Sequence, residues 1–149
     1  MEAQKKIGLG YIDLDGWIPG DKLYPEWMDT ENKNEPYVET LMDPDEEILP
    51  AGDYTLKITY PLTTPYMQEI KSEVPIKRKS LVELIVAAYR FIYLVEKQST
   101  TTPVANIPGM YNRVQTDGKY GIWGHSLGDL MLHTVYVDES NEITVGCDS

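Results

Sequence analysis

Between Ser80 and Gln98 the chain carries more apolar surface than one neighbouring layer can hide. Leu81, Leu84, Ile85, Ala88, Phe91, Ile92 and Val95 recur at helical spacing and form one stripe. Val82, Val86, Tyr89 and Tyr93 form a second, leaving Glu83, Arg90 and Lys97 as the polar remainder. Ser80 followed three residues later by Glu83 makes a Ser-x-x-Glu capping box, so the pattern predicts a helix from Leu81 to about Gln98. A helix this widely apolar must be covered on more than one side, by the sheet on one and by the N-terminal arm or a second subunit on the other.

The sheet is visible in the flanking segments. Tyr54–Tyr60 alternates Leu56, Ile58 and Tyr60 with Thr55, Lys57 and Thr59, the period of a half-buried strand. Tyr66–Ile70 returns beside it across the turn from Pro61 to Pro65, and Tyr37–Met42 is strand-like until the acidic turn Asp43–Glu47. After the helix, Ser99–Pro103 opens a long loop reaching Lys119, and Leu130–Val137 with Ile143–Gly146 reads as a terminal hairpin. Strands, one helix and strands again imply an α+β domain: an antiparallel sheet of about four to six strands packed on one long helix. Residues 37–149 are the expected core, and residues 1–36 an irregular, acidic arm whose Trp17 and Trp27 lie against it.

Charge narrows the partners. The net charge is −11, and it is uneven: residues 1–50 hold 13 acids against 4 bases, residues 51–110 hold 5 against 7, and residues 111–149 hold 6 against 2. Acidity of this kind opposes direct binding to nucleic acid or to an anionic membrane, because phosphates reward Lys and Arg. No apolar run reaches the roughly 20 residues of a membrane span, and Met1–Lys6 is not followed by the apolar stretch of a signal peptide. With one cysteine, Cys147, the expectation is an intracellular, cytoplasmic protein without disulfides.

Few residues carry recognisable chemistry. In Tyr120–Leu130, three glycines surround Trp123, His125 and Asp129. One reading has Asp129 orienting His125 for acid–base work, with the Ser99–Lys119 loop as a lid. The other is a tight corner in which Trp123 enters the core and the polar pair satisfies local backbone. His125, Asp129 and His133 are spaced as helical metal ligands would be, but the local pattern is a turn and a strand, so no metal is expected. No cofactor is expected either, since neither a phosphate-cradling glycine loop nor a nucleophile elbow is present. Asp13–Gly16 begins like a calcium loop yet has Tyr24 where the closing Glu belongs. Lys77, Arg78 and Lys79 precede the helix and offer either an anion-binding corner or, the favoured reading, a partner for the acidic Asp43–Glu47 turn of the same chain or a neighbour.

Three segments together, Gly52–Tyr54 leading to Tyr60–Leu62, Arg78–Leu81 running into Ile85, Tyr89 and Tyr93, and Tyr120–His125 with Gly128–Leu130, resemble a family of small uncharacterised proteins of large DNA viruses of amoebae and of some protists. The likeness runs roughly from Gly52 to Ser149. It implies an intracellular setting, the infected host cell or the virion, and no activity. The over-wide apolar helix, the eleven tyrosines and the acidic arm make the expected function a non-catalytic structural or protein-interaction module that binds a protein partner or itself. The alternatives are a small enzyme using His125 with Asp129, and an acidic mimic of nucleic acid that occupies a basic protein.

Overall fold

The helix, α1, runs from Arg78 to Ser99 and starts three residues before the expected Leu81. Its N-terminus is not closed by the Ser80–Glu83 box: no side chain caps it at Lys77. Backbone carbonyls do so instead. Glu46 O accepts from Arg78 N and Pro44 O from Lys79 N, both at 2.9 Å, so the acidic turn satisfies donors that a hydroxyl would otherwise have taken. The computed structural model describes residues 4–14, 40–100, 116–122, 127 and 130–148.

Among the described residues, eight strands accompany α1: β1 (Lys5–Asp13), β2 (Thr40–Leu41), β3 (Glu47–Leu49), β4 (Gly52–Ile58), β5 (Tyr66–Ser72), β6 (Ile76–Lys77), β7 (Met131–Val137) and β8 (Glu142–Asp148). Six form one sheet in the order β2-β1-β7-β8-β4-β5, and β3 pairs with β6 in a small separate ribbon that feeds the chain into α1. The architecture is α+β, as the pattern of elements implies. The sheet is mixed rather than wholly antiparallel, because β8 lies parallel to β4 with Leu56 opposite Ile143. That pairing is pinned at the β7–β8 turn, where Asn141 adopts a positive φ of 60°, accepts from Thr55 N and donates from Nδ2 to Asp53 O.

Lys5–Asp13 corrects the expectation of an irregular arm over residues 1–36. It is an interior strand of the sheet, between β2 and β7. Ile7 and Leu9 are buried, and so are Ile12 and Leu14, which have the other parity. The register shifts between Gly8 and Ile12, and Gly10 sits at φ 115°, a conformation that suits a residue without a Cβ. The remainder of the arm that lies within residues 15–36, with Trp17 and Trp27, is outside the described residues.

One face of the sheet and α1 enclose the core. Leu56, Ile58, Leu132, Val135 and Ile143 point inward against Leu81, Val82, Ile85, Tyr89 and Ile92, all fully buried. Tyr89 shows how close the layers are, with its hydroxyl donating to Tyr60 O at 2.9 Å and lying 3.6 Å from Cys147 Sγ on β8. Among the described residues, no helix is long and apolar enough to cross a membrane.

Candidate functional site

Both apolar stripes read from the sequence are largely covered by the chain itself, and what α1 leaves uncovered is a third, narrower line. Ala87, Phe91 and Leu94 are exposed and Leu84 is half-buried, with Phe91 retaining 48% and Leu94 54% of its surface in water. Steps of three, four and three residues put these four on one line along the helix. Leu84 and Phe91 therefore point away from the layer assigned to them, because the sheet side takes Leu81, Ile85, Ala88 and Ile92 together with Val82, Val86, Tyr89 and Tyr93. Other exposed apolar side chains, Met67 and Val74 for example, stand outside the helix, as isolated surface residues commonly do.

The stripe is braced on one flank by aromatic rings. The Phe91 ring lies 6.1 Å from that of Tyr66 on β5, and Tyr66 lies 6.0 Å from Tyr120, both pairs tilted by about 60°, a favourable arrangement for aromatic quadrupoles. Tyr120 is held in place by Glu96. This carboxylate is fully buried near the end of α1 and accepts from Tyr120 N (2.8 Å), Gly118 N (2.9 Å), Gly121 N (3.2 Å) and Thr116 Oγ1 (2.5 Å). Burial alone would push the carboxyl up; the hydrogen bonds from Thr116, Tyr120, Gly118 and Gly121 outweigh it and hold it below the usual carboxylate range. Gly118 has to be glycine here, since a Cβ would stand 2.7 Å from Glu96 Cδ and 2.6 Å from Ser99 Oγ. Nothing in the sequence pattern singles out Glu96. The available signal is Thr116–Gly121, a short polar run with two glycines whose amides need an acceptor.

On the opposite flank run charges, Glu83, Arg90 and Lys97, spaced seven residues apart. Arg90 Nε turns back to donate to Leu14 O at 3.2 Å. Glu83 is half-buried and Lys97 exposed.

Of the basic run before the helix, Arg78 is committed to its own chain. It is buried and donates from Nε to Gly8 O (2.8 Å) and from Nη1 to Asp43 O (3.0 Å) and Glu46 Oε1 (2.7 Å). It cannot also present its guanidinium to an external anion, so the pairing with the acidic turn of the same chain is the one observed. Lys77 is exposed on β6 and Lys79 half-buried in the first turn of α1. Trp123, His125 and Asp129, the candidate binding and acid–base residues, lie outside the described residues, as do residues 101–115 of the loop read as a lid.

His133 lies on the face of the sheet away from α1, in a shallow depression of about 530 Å³ lined by Gly8, Gly10, Tyr11, Met42, Thr134 and Asp148. It is the extra residue of a bulge between β7 and β8. Its Nδ1 is 2.7 Å from Thr134 Oγ1 and its Nε2 3.2 Å from Asp148 Oδ1, so both ring nitrogens are engaged within the chain and neither is presented to a substrate. No cluster of three or more His, Cys, Asp or Glu able to hold a metal occurs among the described residues. Cys147 is a poor nucleophile: burial pushes its thiol up to about 11, leaving it protonated at neutral pH.

Comparison of the chain with protein-family models, with curated proteins and with solved structures found no match.

Proposed function

We propose that the protein is a non-catalytic interaction module that docks another protein on the outward stripe of α1. The observation that carries this reading is the line Leu84, Ala87, Phe91 and Leu94, of which Phe91 and Leu94 keep about half their surface in water. Covering a half-exposed Phe or Leu is worth roughly 1 kcal/mol each, so a complementary surface would find a ready anchor there. The half-buried ring of Tyr66 widens the patch with an amphipathic side chain of the kind enriched at interfaces, and the buried ring of Tyr120 backs it. The resemblance to small viral proteins implies no activity and is compatible with such a role.

Site-specific photo-crosslinking tests the reading. A photoreactive residue placed at Leu94 should give intermolecular adducts in the cells that make the protein, while one at the still more exposed Val74 gives few. Adding Phe91→Asp should abolish the Leu94 adducts without lowering the melting temperature by more than a few degrees. Equal yields from both positions would sink the proposal.

A further inference from the structure

The stripe has a property that a general docking face does not require: it complements itself. In heptad terms Leu84 and Phe91 occupy one seam position, and Ala87 and Leu94 the other. Laying a second copy of α1 antiparallel, with the two-fold axis between Ala87 and Phe91, sets Leu84 opposite Leu94 and Ala87 opposite Phe91. Each large ring then meets the smallest side chain of the facing helix, and the two leucine layers close the ends about 15 Å apart. A parallel pairing would set Phe91 on Phe91 and leave a gap between the two alanines.

Charge points to the same axis. In that antiparallel arrangement Glu83 falls beside Lys97 of the second copy, once on each side of the axis, and opposite charges at such flanking positions favour the pairing. Arg90 comes nearest to its own copy, but its guanidinium is drawn back toward Leu14 O. In a parallel pair Glu83 would instead neighbour Ala88, which is buried within its own chain.

Resting on the proposed docking role, we infer that the occupant of the stripe is a second copy of this chain, paired antiparallel α1 to α1 as a two-fold homodimer. Size and charge each pick out the same axis, and both are matched only under that symmetry.

The test uses the full chain in analytical ultracentrifugation across about 1–100 µM, the range of weak to moderate association. The wild type should sediment as a dimer at the upper end. Glu83→Lys alone should weaken dimerisation about tenfold or more by facing Lys97, and Lys97→Glu should do the same. The double variant E83K/K97E restores opposite charges and should recover most of the loss. The parallel swap, Ala87→Phe with Phe91→Ala, should likewise recover what Ala87→Phe alone destroys. All four positions are on the solvent side of α1, and thermal unfolding verifies that each variant remains folded. A chain monomeric throughout, or charge and size swaps that fail to rescue, overturns the inference. If photo-crosslinks at Leu94 nevertheless reach a different protein, the docking role survives and only the identity of the occupant falls.

Discussion

The two ends of α1 each bury a charge of the sign that the helix macrodipole disfavours, and they stabilise it in different ways. At the N-terminal end Arg78 reaches two backbone carbonyls, Gly8 O and Asp43 O, and one carboxylate, Glu46, which is 55% exposed. At the C-terminal end Glu96 is surrounded by three backbone amides and a hydroxyl from one loop, at a position with no exposed surface. Cations are expected at helix C-termini and anions at N-termini, each worth a fraction of a kcal/mol to about 2 kcal/mol. Both ends forgo that gain for something larger. Arg78 ties together three segments distant in sequence, β1, the 43–46 turn and α1. Glu96 folds residues 116–122 around itself and so fixes the aromatic flank of the stripe. What separates the two is the fate of the partners: Glu46 can return to water, whereas the amides of Gly118, Tyr120 and Gly121 depend on the carboxylate.

The largest expected effect follows from that difference. Glu96→Ala leaves several donors without an acceptor and should destabilise the fold by about 3–5 kcal/mol, a large fraction of the stability of an ordinary domain. At roughly 3 °C per kcal/mol for a chain of this size, the melting temperature should fall by about 10 °C or more. Glu96→Gln keeps the shape but turns an amide NH2 toward other donors, and should recover less than half of the loss. A change under about 1 kcal/mol for Glu96→Ala would erase the distinction between the two ends.

Arg78→Met should cost less, about 2–3 kcal/mol in chemical denaturation. Methionine retains the unbranched stem, Glu46 is free to hydrate, and the carbonyls of Gly8 and Asp43 lose one donor each. Should this variant prove more damaging than Glu96→Ala, the exposure of the charged partner would not be what decides the cost.

The same contrast explains what is legible in the sequence. The Lys77–Lys79 run and the acidic Asp43–Glu47 turn declare opposite charges, so their pairing can be read from the residues alone. Glu96 stands beside Lys97 and Gln98 and looks like an ordinary solvated helix end; its burial depends on a loop some twenty residues later. Plain alternation in Tyr54–Tyr60 marks β4, but β1 and β7 each change parity at a bulge: buried Ile7 and Leu9 give way to Ile12 and Leu14, and Leu130 and Leu132 to Val135 and Val137, so neither segment keeps an uninterrupted period of two. Alternation also carries no direction, which is why the parallel β4–β8 ladder is not legible. For the stripe, the excess of apolar surface on α1 is plain from composition and spacing. The choice of outward residues depends on how far the sheet wraps the helix, and Ala87 and Leu94, outside both apparent stripes, become part of the surface.

Acid sharpens the comparison with a smaller effect. The Glu96 carboxyl titrates below its ordinary value of 4.5 in the folded chain, because its hydrogen bonds outweigh the opposing push of burial. A depressed folded value means that the unfolded chain takes up the proton first as pH falls. The contribution is therefore complete above about 4.5 and declines as pH drops from there through the folded value. Asp138 behaves in the same sense, lowered by hydrogen bonds from Glu142 N and from Ser140. The slope that belongs to Glu96 is the difference between the wild type and Glu96→Gln, measured by urea unfolding at successive pH values. Parallel curves would show that the loop amides do not stabilise the ionised form.

The smallest effect is expected where the partner is wettest. Glu46→Gln removes the charge from the Arg78 pair while leaving an oxygen that can still accept from Nη1. With more than half of the Glu46 side chain in water, solvent screens the attraction, and such pairs are typically worth under about 1 kcal/mol. The backbone of the turn supplies the rest, since Glu46 O and Pro44 O cap α1 whatever side chain stands at position 46. Glu46→Gln should thus shift the denaturation midpoint slightly, and 0.5 M salt should mask most of that shift by shortening the range of the interaction to a few ångströms, roughly 4 Å. A loss comparable to that of Arg78→Met would mean that the guanidinium is held chiefly by the carboxylate, and the two ends of α1 would then differ in sign but not in kind.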